Sequence, residues 1–533
     1  MPRKRRNRIS SSESSPGCPL TPQTSIRRQV RPSDELRKGT PTLTLATLVA
    51  GSVFTSSPIA KLTLLASLKF AMRDPYGMGV EYEGGKPGWN DAMNGLVGMV
   101  GSGMPETYEL QLLLRYVEGT VSKYGRPVVL PAELKVMIDE ILSALDELEA
   151  GGEEDGVDVN ELDQSIDENV PKAMFKYWDR VATAREDYRE SIKFTFSGEE
   201  ATYEANELVS VLKRFIVHTE LGMDRALKVG SKGDGDNGTA GVAPSYFSYE
   251  VTSYVETGES DGKGQPYVDA KAFKVGTFPL FLEGPVRMMK TIPKDSFDDQ
   301  ITVYEKVKAS GLYDEPQNAF TVSASLVGQS IDMGRMMAFS PGWLENQSIW
   351  THMSYKFYLQ LLRGKLYDVF FAELTGGGML PFQDPLVYGR SLMECSSFVA
   401  SSAFPDSNQH GRGFLARLSG STAEFLSIWT LMFIGPEPFV VDEMSHELKM
   451  RLQPALPSWA FDEDGKVSFK LFGSIDVTYH NSGGSAIKGS SPTRYSVGFV
   501  WHDGKDEVEG EFLPEYIADQ ARRLDVKSID AYF

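Results

Sequence analysis

The sequence predicts a mostly α-helical fold, an α-helical toroid or part of one, with a strand-rich insertion and a small antiparallel β-sheet near the C-terminus. Three observations lead there. Several long stretches carry apolar residues at three-and-four spacing between helix start and stop residues. Residues 245–330 are instead rich in Tyr, Val, Phe and Thr separated by turns, a strand signature. VSFKLFGSIDVTYHN (467–481) and RYSVGFVWHDG (494–504) alternate as sheet segments do. The expected organisation is a basic leader over 1–40, a helical part over 41–244, the strand-rich insertion over 245–330, a second helical part over 331–460, and a sheet with a terminal helix over 461–533.

Taken in order, the leader carries ten Lys or Arg against three acids, a net of +7, so the other 493 of the 533 residues hold −26 of the total −19. It is rich in Arg, Ser and Pro and poor in large apolar side chains, and is expected to be disordered. A cytoplasmic protein is expected, with an organellar or nuclear address in 1–40 left open beside a merely solvated leader. The apolar run that follows is interrupted by Pro58, Lys61 and Lys69, so a buried or amphipathic helix is expected rather than a membrane span. Its pattern fits a helix over 62–72, closed by Asp74-Pro75-Tyr76-Gly77. Residues 105–125 begin with Pro, which suits the first helical position, and make another helix. A further helix is predicted over 131–150.

Residues 139–168 hold thirteen acids and no base, but without the alternating ligand register of a calcium loop, so a solvated acidic loop is expected. Helices resume over 171–194 and 202–229. GSKGDGDNGTAG (230–241) lacks the GK[ST] ending of a phosphate loop and reads as a flexible connector. Helical pattern returns over 347–374 and 421–433.

Composition narrows the function. An overall charge of −19 is the wrong balance for neutralising phosphates along a nucleic acid or an acidic membrane, so neither is an expected partner. Two cysteines, Cys18 and Cys395, make no disulfide framework and favour a reducing compartment.

Three stretches can carry chemistry. In GGKPGWNDAMNG (84–95), Trp89 offers a stacking face for a sugar ring, and Asp91 can protonate a glycosidic oxygen if burial raises its pKa; helix capping by Asp91 is the competing reading. In PGWLENQSIWTH (341–352), a Pro-Gly turn leads through Glu345 and Asn346 to His352 at a helix start, where an imidazole suits an anion; a satisfied core histidine is the alternative. In ARLSGSTAEFLSIW (416–429), Arg417 and the Ser419-Gly420-Ser421 turn would form an anion pocket from helix-start N–H groups, hydroxyls and a guanidinium, or simply cap the helix.

In this order, the three motifs resemble the second half of the catalytic module of the cellobiose phosphorylase-like glycoside phosphorylases, a group that includes β-1,3-glucan phosphorylases. The resemblance implies part of an (α/α)6 barrel and an inverting phosphorolysis of a β-glucosidic bond giving α-glucose 1-phosphate. It implies Asp91 as general acid, with Trp89, Asn90 and Glu345 on the sugar. His352, Ser419 and Gly420, with Arg417, would hold phosphate. It implies no metal and no organic cofactor, inorganic phosphate as co-substrate, a β-linked glucan or oligosaccharide as partner, and allows a homodimer. Gly88 stands where the family has Asp, and the family's β-sandwich and first barrel half have no counterpart in this sequence.

Two other readings stay open. An inverting β-glucan hydrolase needs a second carboxylate roughly 6.5–9.5 Å from Asp91, for which Glu81, Glu83 and Glu345 are candidates. A truncated, non-catalytic carbohydrate-binding protein is the third.

Overall fold

The computed structural model describes residues 9–11, 24–25, 55–84, 88–151, 169–193, 197–232, 241–378, 383–391, 395–416 and 419–533. The acidic loop beyond Gly151, the connector 233–240, Cys18 and Arg417 lie outside them. The fold is mixed rather than mostly α, with 45% helix and 24% strand in several small sheets, and no barrel closes among the described residues. The chain divides into two compact units: residues 1–291, 303–312 and 322–347 in the first, and 292–302, 313–321 and 348–533 in the second.

The first unit is built on helices whose ends were written in the sequence. Helix α1 (Pro58–Phe70) has Pro at its start, and the Ser57 hydroxyl accepts from Ala60 N at 3.2 Å, satisfying one of the unpaired first-turn donors. Helix α2 (Met104–Tyr124) also starts with Pro and stops at Gly125, which takes a left-handed φ of 58°. Helices α3 (Ala132–Gly151) and α4 (Lys172–Ser191) pack on each other, and α2 packs against α5 (Ala205–Lys232). Buried residues of α5 recur at Leu208, Val211, Leu212, Phe215, Ile216 and Thr219, the stripe of a helix with one face inward. Phe215 stacks on Phe70 of α1 with ring centres 4.0 Å apart.

A long antiparallel hairpin, β1 (Tyr246–Ser260) and β2 (Pro266–Thr277), lays its base over this helical core. Phe273 meets Trp178 of α4 edge to face at 5.4 Å. The sheet is extended on the β1 side by Ser102–Gly103 and then Val80–Glu81. On the β2 side, Ile9–Ser11 of the leader pairs antiparallel, Ile9 with Val268; an open strand edge invites such pairing. Strands of the 245–330 insertion are concentrated at Tyr246–Thr277; α6 (Glu283–Thr291) and α7 (Phe297–Ala309) follow, because the three-and-four spacing of Val286, Met289 and then Val303, Val307 is helical.

The second unit holds α8 (Thr351–Arg363), α9 (Tyr367–Glu373) and α10 (Ser419–Phe433), with α8 packed along α10. The single helix expected over 347–374 is broken at Gly364, where a Cβ would sit 1.7 Å from Gln300 Oε1. Its five-stranded sheet runs β3 (Lys466–Leu471), β4 (Ile475–His480), β7 (Val526–Tyr532), β5 (Arg494–Phe499), β6 (His502–Glu509). The expected purely antiparallel sheet with a terminal helix is corrected: helix α11 (Glu515–Arg523) is a crossover, and β7 lies between β4 and β5, parallel to β4. β6 and β7 both run antiparallel to β5, so they run in the same direction. Joining them takes a crossover, not a tight turn.

Candidate functional site

In the first unit, two irregular segments far apart in sequence interlock. Residues 91–99 form two short 3-10 turns, Asp91–Met93 and Leu96–Met99. Two more, Ile331–Met333 and Arg335–Ala338, face them. Ala92, Met93, Leu96, Met333 and Met336 close a small apolar core with Tyr246, Phe278, Phe281 and Leu326. Glycines set the approach: a Cβ on Gly95 would lie 1.7 Å from Asp332 O, and one on Gly334 would lie 2.6 Å from Ala92 O. Gly95 N donates to Met333 O at 3.1 Å, and Arg335 N donates to Asn94 Oδ1 at 3.0 Å.

This interlock positions Arg335 against Asp91. Arg335 Nη2 donates to Asp91 Oδ1 at 2.6 Å and lies 3.9 Å from Glu345 Oε1. Glu345 comes from a tight turn in which Trp343 and Asn346 exchange backbone hydrogen bonds at 3.1 and 3.2 Å. Leu344 within that turn has a left-handed φ of 50°, a strained conformation for a branched side chain held by its surroundings. Asn346 donates from its side-chain amide to Phe339 O at 2.8 Å.

The two carboxyl groups differ in surroundings. Asp91 has 56% of its side chain exposed and holds an arginine. Glu345 is 8% exposed and its buried Oε2 has no partner among the described residues. Burial pushes the Glu345 carboxyl above its ordinary range, against the lowering effects of its own backbone N–H and Arg335, and Asp91 adds to the rise.

The reading of Asp91 as the general acid calls for a buried carboxyl; Asp91 is exposed and paired with Arg335, and the buried carboxyl beside it is Glu345. Nor does Asp91 act as an N-cap; Asn90 takes that position without a capping bond. Asn90 is 4% exposed, and neither its Oδ1 nor its Nδ2 has a partner among the described residues. Trp89 remains partly exposed, and its indole N–H is tethered to Glu283, which also accepts from Tyr246 OH at 2.9 Å. Gly88 has a φ of 83°, and a Cβ there would press on the Tyr82 ring at 3.0 Å. The other candidate second carboxylates are engaged elsewhere: Glu81 accepts from Trp178 Nε1 at 2.5 Å and Glu83 pairs with Arg189.

In the second unit, His352 is the second residue of α8, edge to face with Trp350 at 6.1 Å. A Cβ on Gly420 would lie 3.6 Å from His352 Cβ, so two of the residues read as phosphate-binding are neighbours across the α8–α10 packing. Ser419 is the first residue of α10, and Ser421 is fully buried. Sequence reasoning missed Arg335 and Glu283; their partners lie 244 and 194 residues away, and no local pattern marks either.

No group of three or more His, Cys, Asp or Glu among the described residues is arranged to hold a metal ion. None of their helices is long and apolar enough to cross a membrane. No family model matches the chain, and no curated protein sequence matches it.

Proposed function

We propose that the chain cleaves a glycosidic bond in a β-linked glucan or gluco-oligosaccharide, with Glu345 as the proton donor and Asp91 as the base. The observation that carries this reading is one guanidinium, Arg335, flanked by two carboxyl groups in opposed environments. Such a divergence separates acid from base in paired-carboxyl catalysis. Glu345, desolvated, carries the proton to the leaving oxygen. Asp91, exposed beside Arg335, takes a proton from the attacking water. Their nearest oxygens are no further apart than about 6.5 Å, a limit that touches the inverting range and takes in the shorter retaining separation. Trp89, partly exposed beside them in the chain, supplies the apolar wall for a sugar ring.

Phosphorolysis, the reaction implied by the resemblance, is the second reading. The packing of Gly420 against His352 favours it, since a helix-start imidazole beside a glycine backbone suits a phosphate dianion. On this reading the nucleophile is inorganic phosphate.

One experiment separates them. The purified protein is incubated with β-gluco-oligosaccharides of several linkages, with and without phosphate, and reducing ends and glucose 1-phosphate are followed. Cleavage without phosphate that falls by about 10²–10⁴-fold in Glu345→Gln supports hydrolysis. Cleavage only with phosphate, yielding α-glucose 1-phosphate, supports phosphorolysis. Saturable binding of the sugars without turnover leaves a carbohydrate-binding protein and overturns both.

A further inference from the structure

In the first unit a groove of about 1260 Å³ runs between one face of α3 and α4 and the β1–β2 hairpin at residues 255 and 269–271. The buried Met137 and Tyr188 line it, and so do Val136 and Val255, which are 64% and 56% exposed. Two aliphatic side chains left open in one recess form the apolar part of a contact surface.

The rest of the lining is acidic. Glu133, Glu140, Asp179, Asp187 and Asp269 stand against two cations, Arg180 and Lys271, a net of −3. Arg180 is turned onto α3, where Nη2 donates to Glu140 at 3.2 Å and Nη1 to Glu147 at 2.5 Å, so it offers the rest of the groove little positive charge. Glu133 Oε2 and Asp269 Oδ1 are buried without a hydrogen-bond partner among the described residues, a costly state for a carboxylate oxygen. Open aliphatics beside carboxylates suit arginine and lysine, whose methylene stems cover apolar surface while their heads meet the acids.

One strand of the basic leader lies at the end of this groove. Ile9–Ser11 adds antiparallel to the β2 edge, with Ser10 opposite Tyr267 and Ile9 opposite Val268, and Asp269 is the next residue along that edge. On its other side Asp269 pairs with Val255. Pairing partners share one face of a sheet, so the same register carries position 8 into one row with Asp269 and Val255. The eight residues before Ile9, MPRKRRNR, hold five cations, Arg3, Lys4, Arg5, Arg6 and Arg8, and no acid.

We propose that residues 3–8 dock in this groove, continuing the Ile9–Ser11 strand along β2 so that Arg8 meets Asp269 and the cations before it meet Glu133, Asp179 and Asp187. Position 6 then opposes Lys271, whose exposed side chain is long enough to turn to solvent. Asn169 takes the same edge at Lys274, so the segment leaves the edge before that point and crosses the groove. The chain's own leader is the occupant, rather than a second copy's, because Ile9 is already held next to the groove and raises the segment's local concentration to roughly millimolar. None of these residues belongs to the proposed glycoside site, so the docking does not depend on that site.

The test uses the full chain and a fluorescent peptide of residues 2–8, PRKRRNR, titrated by anisotropy in dilute chloride buffer. The wild type is compared with a full chain carrying Arg6→Glu and Arg8→Glu, whose altered leader should leave the groove open. The expected result is saturable binding to the variant and at least tenfold weaker binding to the wild type, whose groove is filled. About 1 M chloride, which screens charges within about 3 Å, should abolish binding to the variant. Adding Asp269→Asn to the variant should weaken the peptide at least threefold; Asp187→Asn, at an exposed position, gives the same reading if the first substitution unfolds the chain. The proposal is overturned if the peptide binds neither chain, if it binds both equally, or if neither aspartate substitution weakens it. If the wild type resists the peptide only at high protein concentration, a second copy's leader fills the groove and docking within one chain is overturned.

Discussion

Gly95→Ala tests whether the interlocked turns hold the candidate site together. The added methyl would start 1.7 Å from Asp332 O, more than an ångström inside any contact real side chains make, and its neighbour is backbone, which cannot swing aside. The 91–99 and 331–338 segments must therefore separate. Overpacking of this kind costs about 1–3 kcal/mol and sometimes more. Separation also loosens Gly95 N to Met333 O and Arg335 N to Asn94 Oδ1, each contributing roughly 0.5–1.5 kcal/mol. A loss of about 2–6 kcal/mol from the first unit is expected. Urea unfolding followed by tryptophan fluorescence measures it, with Trp89 and Trp178 reporting on this unit. Gly98→Ala is the control: nothing lies within 4 Å of a Cβ there, so it should be neutral or slightly stabilising. If the two variants unfold within about 0.5 kcal/mol of each other, a scatter typical of surface substitutions, the interlock does not constrain the turns as described.

Three more outcomes follow from the same geometry. Glu345 binds its proton more tightly in the fold than in the unfolded chain. Its stabilising contribution is therefore full below the unfolded value near 4.3 and is lost as pH rises through the raised folded value. Glu345→Gln should accordingly gain stability relative to wild type between pH 4 and 7, and parallel urea midpoints across that range would refute this. His218 is held down to about 4, first by burial, so stability is full above the unfolded value of about 6.5 and falls by up to about 3 kcal/mol as pH drops from there to 4. His218→Gln should remove that fall, as pH-dependent unfolding would report. Tyr479→Phe deletes a buried hydroxyl that donates to Phe433 O at the end of α10, and should cost the second unit about 1–3 kcal/mol in chemical unfolding; no change would mean the carbonyl finds another donor.

The helices were legible where periodicity and punctuation agree. Residues 105–125 became Met104–Tyr124 because Pro105 and Gly125 mark both ends of a stripe that must face inward. Residues 131–150, 171–194 and 202–229 likewise became Ala132–Gly151, Lys172–Ser191 and Ala205–Lys232. What was not legible is tertiary. The break at Gly364 depends on Gln300 lying where a side chain would go, and the place of β7 depends on a crossover over β5. The same limit governs the candidate site. Its residue types stood out at Trp89, Asp91, Glu345 and His352, but protonation depends on which carboxyl is buried and which meets an arginine. Arg335 reaches Asp91 only through a contact between turns that spacing along the chain does not encode.

The central position of β7 in the second unit's sheet bears on how that sheet is made. Strands β3 and β4 form one hairpin and β5 and β6 another, but neither pairs with the other until Val526–Tyr532 has been synthesised and inserted between them. Until then β4 and β5 each present an open edge, the kind of surface on which nascent chains join wrongly. Removing this single strand would leave two ribbons with no common neighbour, so a deletion of seven residues should abolish the whole sheet rather than trim its border.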